Sequence, residues 1–159
     1  MQLRRINKVM TRVIRIVKAR PRDSARLAEM NKHLIEDEGH RNPMSIEELR
    51  KRMEDWLLSD WEAVFIVEEN ATIGYALYQW RADSFNPNEQ FVYLRQFFIS
   101  RSHRNRGMGT QSFNAIKGEF WSKAKRIEVE VLAKNKEGIA FWHSLGFTDY
   151  SLSLKLDAA

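Results

Sequence analysis

A single mixed α/β domain is predicted, because the hydrophobic pattern changes period several times along the chain and never repeats. Short apolar runs suited to strands alternate with segments whose apolar residues recur at helical spacing. Their order is strand, two helices, three strands, helix, strand, helix, strand. The 159 residues are enough for one hydrophobic core, and 43% apolar with 30% charged residues is the balance of an ordinary globular chain.

Residues 1–12 are basic, carry little apolar periodicity, and are expected to form a flexible arm ahead of a domain over 13–159. Val13-Ile14-Arg15-Ile16-Val17 reads as a first strand, stopped by Arg20-Pro21-Arg22-Asp23. Leu27, Met30 and Leu34 then fall on one helix face. Ser45 caps a second helix, Glu48 completes a capping box, and Ile46, Leu49, Met53 and Trp56 make its apolar stripe. Ala63 to Val67 is a continuous apolar run, suited to a strand covered on both faces. Glu69-Asn70 turns the chain into a hairpin partner carrying Ile73, Tyr75 and Leu77. After a polar loop, a long strand runs from Phe91 to Ile99. A glycine turn then opens an amphipathic helix carrying Phe113, Ile116 and Phe120. Ile127, Val129 and Val131 alternate with Glu128 and Glu130 as a half-exposed strand. Asn135 caps a last helix, Gly146 ends it in the left-handed conformation, and Leu152, Leu154 and Leu156 alternate as a final strand. Edge pairing of that strand could support a homodimer.

Composition narrows the function. The chain has no cysteine, which removes disulfides, thiolate metal sites and a cysteine nucleophile, and no metal is expected. No apolar run is long enough to span a membrane and no secretory signal is present, so a cytoplasmic protein without a membrane partner is expected. A net charge of +5 suits an anionic partner, either nucleic acid or a phosphorylated ligand. The sequence carries no nucleic-acid-binding motif, so the second is preferred.

The segment Arg104-Asn105-Arg106-Gly107-Met108-Gly109-Thr110 gives that preference a location. A strand that ends in a glycine turn and starts a helix presents unpaired backbone N–H groups to an anion. It is not a Walker A loop, because no Lys-Ser or Lys-Thr follows, and it lacks the third glycine of the dinucleotide fingerprint. About two dozen residues on stands Asn135-x-x-Gly138-x-x-Phe141-Trp142-x-x-x-Gly146-Phe147.

Together the two segments resemble the GNAT superfamily of acyl-CoA-dependent N-acyltransferases. The first resembles its pyrophosphate motif, Gln/Arg-x-x-Gly-x-Gly/Ala; the second resembles its later Asn-x-x-Ala-x-x-Phe-Tyr-x-x-x-Gly-Phe motif. The element order agrees from Val13 to Leu156. The resemblance implies a single-domain GNAT-like fold with a mixed, mostly antiparallel central sheet flanked by helices. It also implies acetyl-CoA as acyl donor, with coenzyme A as product. Backbone N–H groups from Arg104 through Thr110 (Arg104, Asn105, Arg106, Gly107, Met108, Gly109, Thr110) would hold the pyrophosphate. Phe98, Ile99 and Ser100 would pair with the pantetheine as an added strand does. Asn135, Phe141 and Trp142 would line the other side of the cofactor.

The acceptor is expected to be a primary amine, that of a small cationic molecule, attacking directly without a covalent enzyme intermediate. Glu36-Asp37-Glu38-Gly39-His40 is an acidic loop suited to a cation, with Glu38 and His40 as substrate-side residues and candidate bases, and Trp80 as an aromatic wall. The chain departs from the family pattern at Trp142, where Tyr often serves as the acid. An indole N–H donates a hydrogen bond but does not release its proton at useful pH. Tyr150 is the candidate acid instead, with Tyr93 or water as alternatives. The same departure motivates a second reading, an acyl-CoA-binding sensor with degenerate catalysis.

Overall fold

A computed structural model describes residues 13–158; the proposed basic arm lies outside the described residues. Five strands form one sheet in the order β1-β2-β3-β4-β5. They are β1 (Ile14–Lys18), β2 (Trp61–Glu68), β3 (Ala71–Ala82), β4 (Gln90–Ile99) and β5 (Ile127–Val129). The first four are antiparallel neighbours, and β5 joins β4 in parallel. Helices α1 (Ser24–Glu38) and α2 (Ile46–Leu58) follow β1; α3 (Met108–Phe120) and α4 (Lys136–Ser144) flank β5 in the chain.

Each face of the sheet has its own core. On one face, Phe65, Tyr75, Leu77 and Phe98 pack with Leu27 and Leu34 of α1 and Met53 of α2. On the other, Ile66, Ala76, Val92, Leu94 and Ile99 pack with Met108, Phe113 and Ile116 of α3. Both faces of β2 are therefore covered, which is why Ala63–Val67 is apolar without alternation. The local signals for the helices operate as expected. Ser45 Oγ accepts from Glu48 N–H, and the Glu48 carboxylate accepts from Ser45 N–H. Asn135 caps α4 through Gly138 N–H, and Gly146 has φ +97°.

Two departures from simple alternation matter for the site. The β3–β4 register slips at Arg95: Leu77 faces Gln96, whereas Tyr78 faces Leu94. This one-residue bulge reverses the parity of β4. Val92 and Leu94 face α3, yet so do Phe97 and Ile99, while Phe98 joins the α1–α2 core. The expected last strand does not form. Residues 148–158 carry no secondary structure, and Leu152, Leu154 and Leu156 are exposed.

Candidate functional site

The site is built where β4 loses a neighbour. β4 and β5 are paired only at Val92–Ile127, Tyr93–Glu128 and Leu94–Val129. Beyond Leu94, the edge of β4 from Arg95 to Ile99 carries no partner among the described strands. Ser100 N–H donates inward to Ile73 O at 2.7 Å. Alternation back from Ser100 turns the N–H groups of Ile99 and Phe97 to the open edge. Gly74 lets β3 approach here, because a Cβ at that position would stand 2.0 Å from Phe98 O.

The open edge leads into the glycine turn. Asn105 (φ +62°) and Gly107 (φ +72°) are both left-handed, a conformation that turns successive N–H groups into a concavity. The first intrahelical bond of α3 runs from Gln111 N–H to Gly107 O, at 3.0 Å. Met108, Gly109 and Thr110 N–H thus precede the ladder, and no side chain caps them. The helix dipole and the exposed Arg106 add positive potential. Space around Gly107 is open, whereas a Cβ on Gly109 would meet the Phe141 ring at 3.0 Å. The turn and α4 are therefore in direct contact. These features fit a diphosphate at the turn and an extended amide-bearing chain along β4.

Arg104 does not point freely at the cradle. Its Nε donates to Ile99 O at 2.7 Å, its guanidinium pairs with Asp37, and it lies over the Phe98 ring at 5.6 Å. Arg101 also reaches Asp37, Nε to Oδ1 at 2.7 Å. Burial raises the Asp37 carboxyl, but the hydrogen bonds from Arg104 and Arg101 outweigh it and hold the group below the usual range. The last turn of α1 is thereby fastened to the turn before α3. Lys134 adds a second tie, Nζ to Gly39 O at 2.8 Å.

This pairing changes the acidic loop. Asp37 is ion-paired with Arg101 and Arg104, and Glu36 lies within 4.0 Å of Arg101 and 3.8 Å of His33. Glu38 is half-buried, and burial followed by the charge of Asp37 pushes its carboxyl above the usual range. Glu36 to Gly39 and Lys134 to Glu137 line one cleft of about 430 Å³, which brings Glu38 beside Asn135 of the second motif. His40 is exposed on the same loop, where its Nδ1 accepts from Asn42 N–H at 3.1 Å. A larger depression of about 650 Å³ lies over α2, among Glu47, Lys51, Arg52 and Asp55. It is an ion-paired helix surface away from the turn.

The remaining candidates are dispersed. Phe141 and Trp142 sit with Phe97, Phe113 and Phe147 in one aromatic cluster; Phe141 stacks on Phe97 at 5.9 Å and Trp142 meets Phe147 at 5.2 Å. Trp142 thus packs on the α3 face of the sheet. Trp80 packs on that face as well, opposite the loop of Glu38 and His40. Tyr93 is buried, and burial followed by the charge of Glu130 raises its hydroxyl pKa. Tyr150 is 85% exposed on the C-terminal segment.

Sequence reasoning missed a buried polar group beneath Glu38. Tyr75 donates to Gln96 Oε1 at 2.8 Å, and Arg52 donates to Asn31 Oδ1 at 3.0 Å. Burial, then the Glu38 charge, pushes the Tyr75 hydroxyl well above its usual value. One signal was present: Asn31 interrupts the apolar stripe of Leu27 and Leu34, and a polar residue on a buried stripe needs partners.

A family model described as the acetyltransferase (GNAT) family matches residues 27–147. No curated protein matches the chain. Among solved structures, a possible acetyltransferase from Clostridium difficile 630 superposes with a TM-score of 0.76 at 17% identity, covering 92% of this chain and 98% of that one. An aminoglycoside N-acetyltransferase in complex with CoA gives 0.71 at 16% identity, over 93% and 96% of the two chains. A ribosomal-protein-alanine N-acetyltransferase from Brucella melitensis biovar Abortus 2308 gives 0.73 at 10% identity, over 92% and 100%. At these identities the solved structures establish the shared fold.

Proposed function

We propose that this chain, which belongs to the acetyltransferase (GNAT) family and is an acyl-CoA-dependent N-acetyltransferase, acetylates a primary amine of a small cationic molecule. The observation that carries the acceptor reading is Glu38. It is the one acid of the Glu36-Asp37-Glu38 loop without an arginine salt bridge in the described structure, and it lines the cleft beside Asn135. A raised carboxyl pKa suits a group that must take a proton from an ammonium near neutral pH.

Acetyl-CoA would supply the acetyl group as a thioester: the amine nitrogen bonds to the acetyl carbon, the C–S bond breaks, and coenzyme A leaves as a thiolate that takes its proton from water. The N–H groups of Met108, Gly109 and Thr110 would hold its pyrophosphate. The open edge of β4 at Phe97 and Ile99 would pair with the pantetheine and offer a backbone N–H to the carbonyl oxygen that becomes negative. Phe141 closes the turn from the α4 side. Glu38 attracts the cationic acceptor and accepts a proton as the amine becomes nucleophilic, and His40 stands at the cleft rim as a second proton acceptor. An aminoglycoside N-acetyltransferase and a ribosomal-protein-alanine N-acetyltransferase share this fold, so polyamines, aminoglycosides and peptide N-termini form the discriminating panel.

The test is CoA release measured across that panel, with Glu38→Gln beside the wild type. A base contributes about 10²- to 10⁴-fold. The variant should lose that much kcat/KM on the preferred amine, together with the acidic limb of the pH profile, while acetyl-CoA affinity holds. Preference for peptides over small cations would sink the acceptor assignment. Acetyl-CoA binding without turnover of any amine would favour the sensor reading, for which Trp142 in the aromatic cluster is the motivating observation.

A further inference from the structure

The bulge on β4 brings two cations to one tryptophan. Because the register slips at Arg95, both Arg95 and Gln96 turn to the α1–α2 face of the sheet. Gln96 receives the buried Tyr75 hydroxyl there. Arg95 lies over the Trp56 ring of α2 at 4.9 Å and over Trp61 at 5.6 Å. Arg52, one helical turn before Trp56, lies over the same ring at 4.5 Å. The guanidinium groups are therefore close neighbours, each held by an aromatic face.

Neither has an acidic partner among the described residues. Arg52 donates to Asn31 Oδ1 at 3.0 Å, and its buried Nε has no hydrogen-bond partner among them. The acids of α2 are engaged elsewhere: Glu47 and Glu54 pair with Arg50, Asp55 pairs with Lys51, and Glu48 accepts from Ser45 N–H. Burial, then the charge of Arg95, lowers the Arg52 guanidinium pKa, as expected of a desolvated cation beside a like charge. An orphaned donor and two uncompensated cations both cost stability. A carboxylate answers both, because its two oxygens match a guanidinium fork and its charge offsets the repulsion.

Position ties the pair to the acceptor. Arg95 is the first residue of the unpaired β4 edge. Arg52 and Trp56 line the depression of about 650 Å³ over α2, which opens the pair to a small molecule. Burial raises the Tyr75 hydroxyl most, the Glu38 charge adds to it and the Arg52 charge opposes it, so acid and cation stand near one buried group.

We propose that Arg52 and Arg95, held on Trp56, form a carboxylate subsite, and that the acceptor is a basic amino acid. The identity of the acceptor rests on the amine reading above; the subsite itself does not. A basic amino acid offers an ammonium to Glu38 and a carboxylate to the arginines, and its second amine keeps the net charge positive. A polyamine or aminoglycoside has no carboxylate and sets further cations against the arginine pair.

The test compares L-lysine with 1,5-diaminopentane, its decarboxylated counterpart, and with lysinamide, whose carboxylate is blocked. Calorimetry on the full chain with coenzyme A present gives affinity, and CoA release from acetyl-CoA gives kcat/KM. Lysine should bind about 10- to 100-fold tighter than either analogue, the range of a hydrogen bond between charged groups. Arg95→Met should erase that ratio, and Arg95→Lys, which keeps the charge without the fork, should restore part of it. Equal affinity of the wild type for lysine and 1,5-diaminopentane overturns the subsite. So does an Arg95→Met variant that keeps the wild-type ratio, or one that weakens all three ligands alike, since that marks a structural role. Tight, carboxylate-dependent binding of lysine without turnover of any amine keeps the subsite and sinks the acceptor reading instead.

Discussion

Gly107 isolates what the turn contributes, because its environment separates backbone conformation from packing. Its φ is +72°, and a Cβ placed there would touch nothing within 4 Å. Gly107→Ala therefore introduces conformational strain without a clash. An L-residue in the left-handed region costs about 1–2 kcal/mol. In a domain of this length each kcal/mol lowers Tm by about 2–4 °C, so a fall of about 2–8 °C is expected by scanning fluorimetry. The turn can instead relax toward right-handed geometry, which turns the N–H groups of Met108 to Thr110 out of register. Losing two helix-terminus contacts of roughly 0.3–1 kcal/mol each weakens acetyl-CoA about 3- to 30-fold, measurable by calorimetry. Gly107→Asn should cost less, since Asn enters the left-handed region more readily. Gly107→Glu should abolish binding by setting a carboxylate against the pyrophosphate. An alanine variant with wild-type Tm and wild-type affinity, or a glutamate variant that still binds acetyl-CoA, would refute the cradle.

Gly74→Ala tests the close approach of β3 to β4. A Cβ 2.0 Å from a backbone oxygen cannot be relieved by a side-chain rotation, so the cost should exceed about 3 kcal/mol, read as a lowered urea midpoint or loss of soluble protein; a stable variant would show that the register there is loose. Asp37→Ala releases Arg101 and Arg104 together. Because the native carboxyl is held below its ordinary value of 3.8, its stabilisation is present above that pH and fades as pH falls through the lowered value. The variant should lose about 1–2 kcal/mol at pH 7, discounted because both arginines are partly exposed, and converge on wild type only once pH falls below the lowered value. Equal stability at pH 7 would mean that the α1 end is held by other contacts.

Much of this protein follows from short-range pattern. Ser45 and Glu48 mark the start of α2, Asn135 marks α4, and Gly107 and Gly146 stand where left-handed backbone is used. Each rests on interactions within a few residues, which a linear chain displays. The two glycine-containing motifs likewise point to the family whose model matches residues 27–147.

Tertiary structure decided what depends on distant partners. The bulge at Arg95 comes from pairing with β3, and it alone determines that Phe97 and Ile99 turn their N–H groups to the open edge. The acidic loop reads as three equivalent carboxylates, yet Asp37 lies 64 and 67 residues from the arginines that pair with it. Glu38 is the acid whose carboxyl is raised, by its burial first and then by the charge of Asp37. Alternation in Leu152, Leu154 and Leu156 announces a strand, yet none forms there, because strand pairing is a property of two segments.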